Sequence, residues 1–394
     1  MHLNYLLGAM VMASAATAQT VVGKAYGFAT GVTGGGSAKA VAPTSASELA
    51  KLLADDVPRT IVINKTWDFT GSKATGSGCD RKSCSAKNGG QLYLGTLSCG
   101  GSDNVAVSSI KYDKAGLEPL IVGSNKSIIG SGAGVLNGKG LQIKKNAKNV
   151  IIQGFEIRNL NPGIVWGGDA IDLKGGNDGV WIDHMKISLV GRMFIVTHYD
   201  GSRVTVSNSE FDGQTTTSAS CNGDHYWTMM FYGKGDRVTL DRNYYHDVSG
   251  RAPKLGQDGT TGTFQATNNY FKNMQGHAFD VYSGATALIE GNVFETVKNP
   301  FTSSSNKGTV YNVPDSAAAS ACSSSLGRAC EVNKASGSGA LPSLKTTSAL
   351  STLAKSKSFL VKPVAASQVS SIISSSVGPT RLKARSIRGR WVHD

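Results

Sequence analysis

The sequence predicts an all-β fold, a right-handed single-stranded parallel β-helix, and three observations carry that prediction. Six segments, 150–157, 180–187, 204–211, 238–245, 264–271 and 287–294, have apolar residues at their first and third positions and an apolar or aromatic residue at the eighth. Their starts lie 30, 24, 34, 26 and 23 residues apart, a period suited to one strand-bearing coil per unit with loops inserted where the spacing lengthens. The last three units share an asparagine at the sixth position, Asn243, Asn269 and Asn292, and aligned amides stack and hydrogen-bond at a bend, a structural role. A β-sandwich would instead show turns every ~8–12 residues without units recurring in register.

Taken in order, the chain opens on M-H-L-N-Y-L-L-G-A-M-V-M-A-S-A-A-T-A. The short apolar run closing on small residues predicts a cleaved secretory signal over residues 1–18, although no Lys or Arg precedes the run. Residues 19–375 are then a single β-helix domain. Its glycine-rich start, residues 27–37, reads as irregular backbone. Ser45-Ala46-Ser47-Glu48 fits a capping box, and Leu49, Leu52 and Leu53 form the apolar face of a short helix that Val57-Pro58 ends. Such a helix covers the open end of a solenoid, where the first coil would expose its edge. Residues 59–64 read as a strand. Residues 71–118 hold three cysteines among Gly, Ser and Lys and are expected to be a loop excursion held by disulfide. The repeating coils cover about 127–296. A covering segment, 297–375, follows, with 364–373 as a short amphipathic helix and 333–358 as extended, weakly ordered chain. Residues 376–394 form a basic tail, +4 in the last fourteen residues.

Forty Lys and Arg against 27 Asp and Glu give a net charge of +13. Outside the cell such a field attracts acidic polysaccharide before nucleic acid. No apolar run after residue 18 approaches the roughly 18 residues needed to span a bilayer, so neither nucleic acid nor membrane is expected as a partner, and the protein is expected to be a monomer. The six cysteines, Cys79, Cys84, Cys99, Cys221, Cys322 and Cys330, are an even set that implies disulfides in about fifteen possible pairings. A zinc site is disfavoured because no CxxC or HxxxH accompanies them. Asn64 and Asn125 head glycosylation sequons.

The chemistry-bearing stretches are W-G-G-D-A-I at 166–171, V-W-I-D-H at 180–184, G-R at 191–192, H-Y-W at 225–227, S-G-R-A-P-K at 249–254 and G-H-A-F at 276–279. Charges set beside Gly or Pro at strand ends read as a site built on a rigid scaffold. In this order on a β-helix, the motifs resemble the pectin lyases of polysaccharide lyase family 1, from about residue 27 to about residue 330. The resemblance implies β-elimination in a galacturonan chain. A base removes the C5 proton, the C4 to oxygen bond breaks, and an unsaturated uronate end remains.

By that resemblance Arg251 is the proton-abstracting base, Arg192 stabilises charge at the C6 oxygen, and Asp169 orients an arginine, ionised beside two of them. Guanidinium ordinarily keeps its proton, so an arginine base calls for a desolvated, cation-crowded site, with Arg192 and Lys254 as the crowding groups. Trp166 and Trp227 are expected to line the cleft as sugar-stacking residues and Lys254 to bind substrate. Asp183 and His184 are expected to be buried support. The resemblance further implies the disulfides Cys79–Cys99, Cys84–Cys221 and Cys322–Cys330.

Calcium separates the two branches of the family. Pectate lyases hold it through acids that include residues just after W-I-D-H, whereas this chain has Lys186 and Arg192 there. Fixed cations in place of a metal suit a methyl-esterified substrate, so no cofactor is expected. The excursion lacks the tryptophans usual in pectin lyases, carrying only Tyr93 between residues 73 and 103, which shifts the expected preference towards partly de-esterified pectin. The competing readings are a calcium-dependent pectate lyase and a non-catalytic wall-binding β-helix.

Overall fold

In the computed structural model, which describes residues 20–130 and 133–382, the chain winds as a right-handed parallel β-helix of three sheets. The signal at 1–18 and the tail beyond residue 382 lie outside the described residues. The first sheet has ten strands, from Ala40–Val41 to Thr309–Asn312. The second and third are joined through one twelve-residue strand, Tyr270–Val281. Its first half pairs with Tyr244–His246 of the second sheet and its second half with Lys254–Leu255 of the third.

The sequence period is the strand register. Val150, Val180, Val204, Val238, Phe264 and Ala287 are Cα partners on successive strands of the first sheet. Their third-position neighbours, from Ile152 to Ile289, are buried in the central core. At the eighth position Phe211, Tyr245, Phe271 and Phe294 stack inside the coil with ring centroids 5.0, 4.8 and 4.9 Å apart, within the spacing at which aromatic pairs add to burial.

The coils run past both expected limits of 127 and 296. Arg59–Ile63 pairs with Lys126–Gly130, which pairs in turn with Val150–Gln153. Lys126 occupies the position that is apolar from Val150 onward, and it is fully buried. Its Nζ donates to the Asp55, Val57 and Ser124 carbonyls at 2.7, 2.7 and 2.8 Å and pairs with Asp55 at 3.1 Å. A lysine thus satisfied interrupts the apolar pattern without interrupting the fold.

The stretch 333–358 is ordered, against expectation. Asn333 continues the asparagine ladder: Asn243, Asn269 and Asn292 each donate through Nδ2 to the next Oδ1, at 3.0, 2.9 and 3.1 Å, the last acceptor being Asn333. Lys334–Ser336 pairs with the strand Val293–Phe301. The helix Thr347–Ala354 buries Ala349, Leu350 and Leu353, too few apolar residues for its period to stand out among Ser and Thr.

The capping helix spans Ala46–Ala54 and buries Leu49 and Leu53. Ser45 Oγ accepts from Glu48 N–H at 3.1 Å, while the Glu48 carboxylate accepts from Thr44 N–H at 2.8 Å rather than from Ser45. The glycine-rich start lies over the first sheet, where Asn149 Oδ1 accepts from Thr33 and Gly34 N–H, both at 2.8 Å. Gly34 has φ 57° and a Cβ there would strike Ser127, so only glycine fits. At the other end the amphipathic helix is Val369–Ser376, burying Val369 and Ile373. It starts later than expected because Val364 is held extended, its N–H and carbonyl bonded to the Asn268 side chain.

The excursion is a small sheet rather than loop. Lys73–Arg81 pairs antiparallel with Leu92–Leu94 and Asn104–Asp113, and Ile164–Val165 adds in parallel. Its first strand, K-A-T-G-S-G-C-D-R, is polar and glycine-bearing, and the apolar Leu92–Leu94 is too short to stand out as a strand. The disulfides are Cys79–Cys99, Cys84–Cys221 and Cys322–Cys330, and the second ties the excursion to the loop before Trp227. Among the described residues no helix is long and apolar enough to cross a membrane.

Asn64 is exposed. Asn125 is half-buried, donates to Asp56 O at 3.2 Å and accepts from Asn149 at 3.0 Å. Glycopeptide mass spectrometry of the protein expressed through a eukaryotic secretory route is expected to find glycan at Asn64 and unmodified Asn125; the reverse occupancy would mean that exposure and side-chain hydrogen bonding do not decide modification at these two sites.

Candidate active site

The site lies where the chain turns from the second sheet into the third. Ile171, Ile195 and Met229 are register partners, and Met230 partners Lys254. Counting back two residues from each inward position places Asp169, Met193, Trp227 and Arg251 at one corner of four successive coils. At about 4.8 Å per rung, Asp169 and Arg251 are separated by roughly 14 Å of backbone, with Arg192 on the coil next to Asp169. Beside this edge the outward positions of the third sheet form the floor of a groove: Asp172, Val196, Met230, Lys254 and Asp280.

Arg192 is buried and donates to Asp169 at 3.0 Å, while Met193 N–H donates to the same carboxylate at 2.8 Å. Its guanidinium lies 4.0 Å from the centroid of Trp166, whose Nε1 donates to Ser98 Oγ at 2.9 Å. Burial pushes the Asp169 carboxyl above its ordinary range, outweighing the opposite pull of Arg192 and Met193 N–H. The expectation of an aspartate beside two arginines is corrected here: Asp169 pairs with Arg192, and Arg251 belongs to a coil three rungs away.

Arg251 is half-buried and sits at φ 48°. Its guanidinium lies 4.8 Å from the centroid of Trp227 and 5.7 Å from that of Tyr226. Among the described residues it has no carboxylate within 4 Å. Its backbone N–H donates to His277 Nε2 at 3.0 Å and its carbonyl accepts from Met229 N–H at 2.7 Å, so the corner is fixed independently of the side chain. Burial pulls the His277 imidazole below its ordinary value, which keeps Nε2 an acceptor. The cation beside Arg251 is Lys254, whose ammonium is lowered by burial and then by Arg251.

Trp166 and Trp227 line the site, yet each turns a ring face to an arginine, so their first effect is to aim guanidinium groups. Trp166 is tied to the excursion through Ser98, and Trp227 through Gln91, a residue with no motif around it in the sequence. Buried, it accepts from Trp227 Nε1 at 3.0 Å and donates to the Pro162 and Gly191 carbonyls at 2.7 and 2.9 Å. His225 likewise bonds the Arg192 carbonyl at 2.9 Å and stacks on Phe194 with centroids 4.4 Å apart. Burial pulls its imidazole down to about 4, so it is neutral and donates there.

Lys186 does not belong to this site. Its strand, Lys186–Val190, is on the second sheet, where Nζ pairs with Glu210 at 2.8 Å and Asp212 at 3.1 Å. Asp183 and His184 are hydrogen-bonded to one another at 2.7 Å, with Asp183 also accepting from Ser207 and Gln153.

One acidic group borders the groove, Asp169, Asp172 and His198. Calcium requires about six to eight oxygen ligands. Here Asp169 is paired with Arg192, and Asp172 with Lys174 at 2.5 Å and His198 at 3.1 Å. Against the pull of burial, His198 and Lys174 hold Asp172 below the usual carboxylate range. Tyr232 hydroxyl bonds the other nitrogen of His198. Two carboxylates already engaged by Arg192, Lys174 and the His198 ring offer too few free oxygens for calcium. The second acidic group, Glu210, Asp212 and His246, lies on another face and is filled by Lys186.

Fold and site thus define a parallel β-helix protein with a cation-edged groove fit for an anionic or ester-bearing polysaccharide. The family model described as pectate lyase matches residues 92–382, and the chain belongs to that family. A relative from Neosartorya fischeri named "Probable pectin lyase F" is 50% identical over 332 residues, 81% of this chain and 85% of the relative. "Probable pectin lyase F-2" from Aspergillus terreus is 46% identical over 386 residues, 96% of this chain and 78% of the relative. Among solved structures, a pectate lyase from Bacillus sp. N165 in complex with trigalacturonate is similar at a TM-score of 0.59 and 18% identity, covering 91% of this chain and 99% of that one. At that identity the likeness concerns the fold.

Proposed function

We infer that this chain is a secreted pectin lyase that cleaves α-1,4-linked, methyl-esterified galacturonan by calcium-independent β-elimination. The observation that carries the reading is the division of labour between two arginines on one groove edge. Arg192 is locked to Asp169 at 3.0 Å, while Arg251, two coils on, has no acidic partner among the described residues. A locked cation suits a fixed oxygen, and an unpaired one suits the reacting centre.

Arg192 receives the C6 carbonyl oxygen of the esterified uronate and stabilises the negative charge that gathers there as the C5 proton leaves. Arg251 takes that proton. The C5–H electrons form the C4=C5 double bond, the C4 to oxygen bond breaks, and the departing oxygen gains a proton from solvent. Asp169 keeps Arg192 aimed, and the indoles of Trp166 and Trp227 hold the two guanidinium planes. Because each transition-state charge meets a side chain already in place, the cost of reorganisation is met during folding.

The test is the ultraviolet absorbance of unsaturated uronides, followed on esterified pectin and on polygalacturonate with chelator present. Absorbance rising on pectin in chelator is expected. A requirement for added calcium would favour a pectate lyase, against which stand the neutralised carboxylates of Asp169 and Asp172. Product from neither polymer would leave a non-catalytic binding protein.

A further inference from the structure

Beyond Arg251 the groove ends in two further cations, of which Lys254 neighbours Arg251 and Lys307 plays no part in the elimination. Lys254 Nζ lies 4.1 Å from the centroid of the Tyr282 ring, and Lys307 Nζ approaches the same ring at 5.9 Å. Neither lysine has a carboxylate within 4 Å among the described residues. The acids that face Lys254 are Asp258 and Asp280, and both are committed to hydroxyls: Asp258 accepts from Ser283 at 2.6 Å and Asp280 from Thr302 at 2.7 Å. Three cations, Arg251, Lys254 and Lys307, therefore meet two acids at this end.

The turn that carries Lys307, Ser303–Lys307, is fixed by the fully buried Ser305. Its Oγ accepts from Val281 N–H and donates to Phe279 O, both at 3.2 Å. Lys307 itself is exposed. Two ammonium groups beside one ring, neither paired with a carboxylate, make a local positive field that attracts an anion. The opposite end of the groove differs: a cleft of about 260 Å³ sets Leu117, Pro119 and Trp166 beside charged groups that are already paired, Asp169 with Arg192 and Asp172 with Lys174, and a neutral methyl ester suits such a site better than a further anion.

We propose that Lys254 and Lys307, converging over Tyr282, bind a free carboxylate of the galacturonan chain. The groove then takes an esterified uronate at the Trp166 end and a de-esterified one beyond Arg251. This rests on the reading of the groove as a galacturonan site and assigns its substrate more narrowly, to partly esterified pectin with adjacent ester and acid residues.

Two measurements on the full secreted chain test it. Calorimetric titration with trigalacturonic acid in chelator is expected to give a Kd about three- to tenfold weaker for Lys307→Gln than for the parent, with Lys307→Arg restoring it. Equal affinity for parent and Lys307→Gln would overturn the proposal. In rate measurements, the quotient of kcat/KM on half-esterified over fully esterified pectin is expected to fall by a similar factor in Lys307→Gln. An unchanged quotient would again overturn it. If no unsaturated product forms on any pectin, the lyase reading fails, and the calorimetry alone decides the carboxylate site.

Discussion

Arg251→Ala is expected to lower kcat on esterified pectin by about three orders of magnitude or more, the scale on which removal of a proton-transfer group or a transition-state charge acts. The substitution separates chemistry from folding. The guanidinium contacts the Trp227 face and lies 3.6 Å from Met230 Sδ, interactions worth about 1 kcal/mol together. The backbone bonds to His277 and Met229 that set the corner do not involve the side chain. Initial rates by ultraviolet absorbance, with circular dichroism melting as control, check the result. A variant that keeps kcat within tenfold and shows only a raised KM would make Arg251 a binding group and not the base.

What could be read from the sequence and what could not divide along a physical line. A buried position must be apolar or satisfied, so the coil register was visible wherever the first option was taken, and vanished at Lys126, where the second was. Asp169, Arg192 and Arg251 were legible because each stands beside the glycine or proline that a tight corner requires. Lys186 was misplaced for the complementary reason. Six residues before Arg192, it lies across a corner, and a strand as short as Lys186–Val190 is enough to carry it to another face.

Contacts between distant segments left no local trace. Gln91 reaches Trp227, 136 residues away, and Arg251 N–H meets His277, 26 residues on. Nothing in Gln91's neighbours distinguishes it from an ordinary polar position, and the motif that holds His277 does not say which backbone its ring will meet. The roles of Trp166 and Trp227 were half legible. Their place at the groove followed from the motifs, but the guanidinium stacked on each ring depends on where the next coil puts its arginine.

The largest loss of stability is expected from the asparagine ladder, with Asn269→Ala costing about 3–5 kcal/mol. Asn269 is fully buried and its amide serves both neighbouring coils. Nδ2 donates to Leu240 O and Asn292 Oδ1, both at 2.9 Å, and Oδ1 accepts from Asn243 N–H at 3.1 Å and Nδ2 at 3.0 Å. Truncation leaves a carbonyl and two donors without partners inside the coil, at about 1–3 kcal/mol for each group left unsatisfied. A solenoid is stabilised by contacts between successive coils, so the loss falls on one interface rather than on the whole molecule. Urea unfolding is expected to show a lower midpoint, with the C-terminal coils separating first and a shallower overall transition. The coil between Asn243 and Asn269 carries Arg251, so lyase activity is expected to disappear at a lower urea concentration than the bulk circular dichroism signal. Coincident loss of both at the parent's midpoint would mean that the aromatic stack of Tyr245, Phe271 and Phe294, and not the amide ladder, holds these coils together.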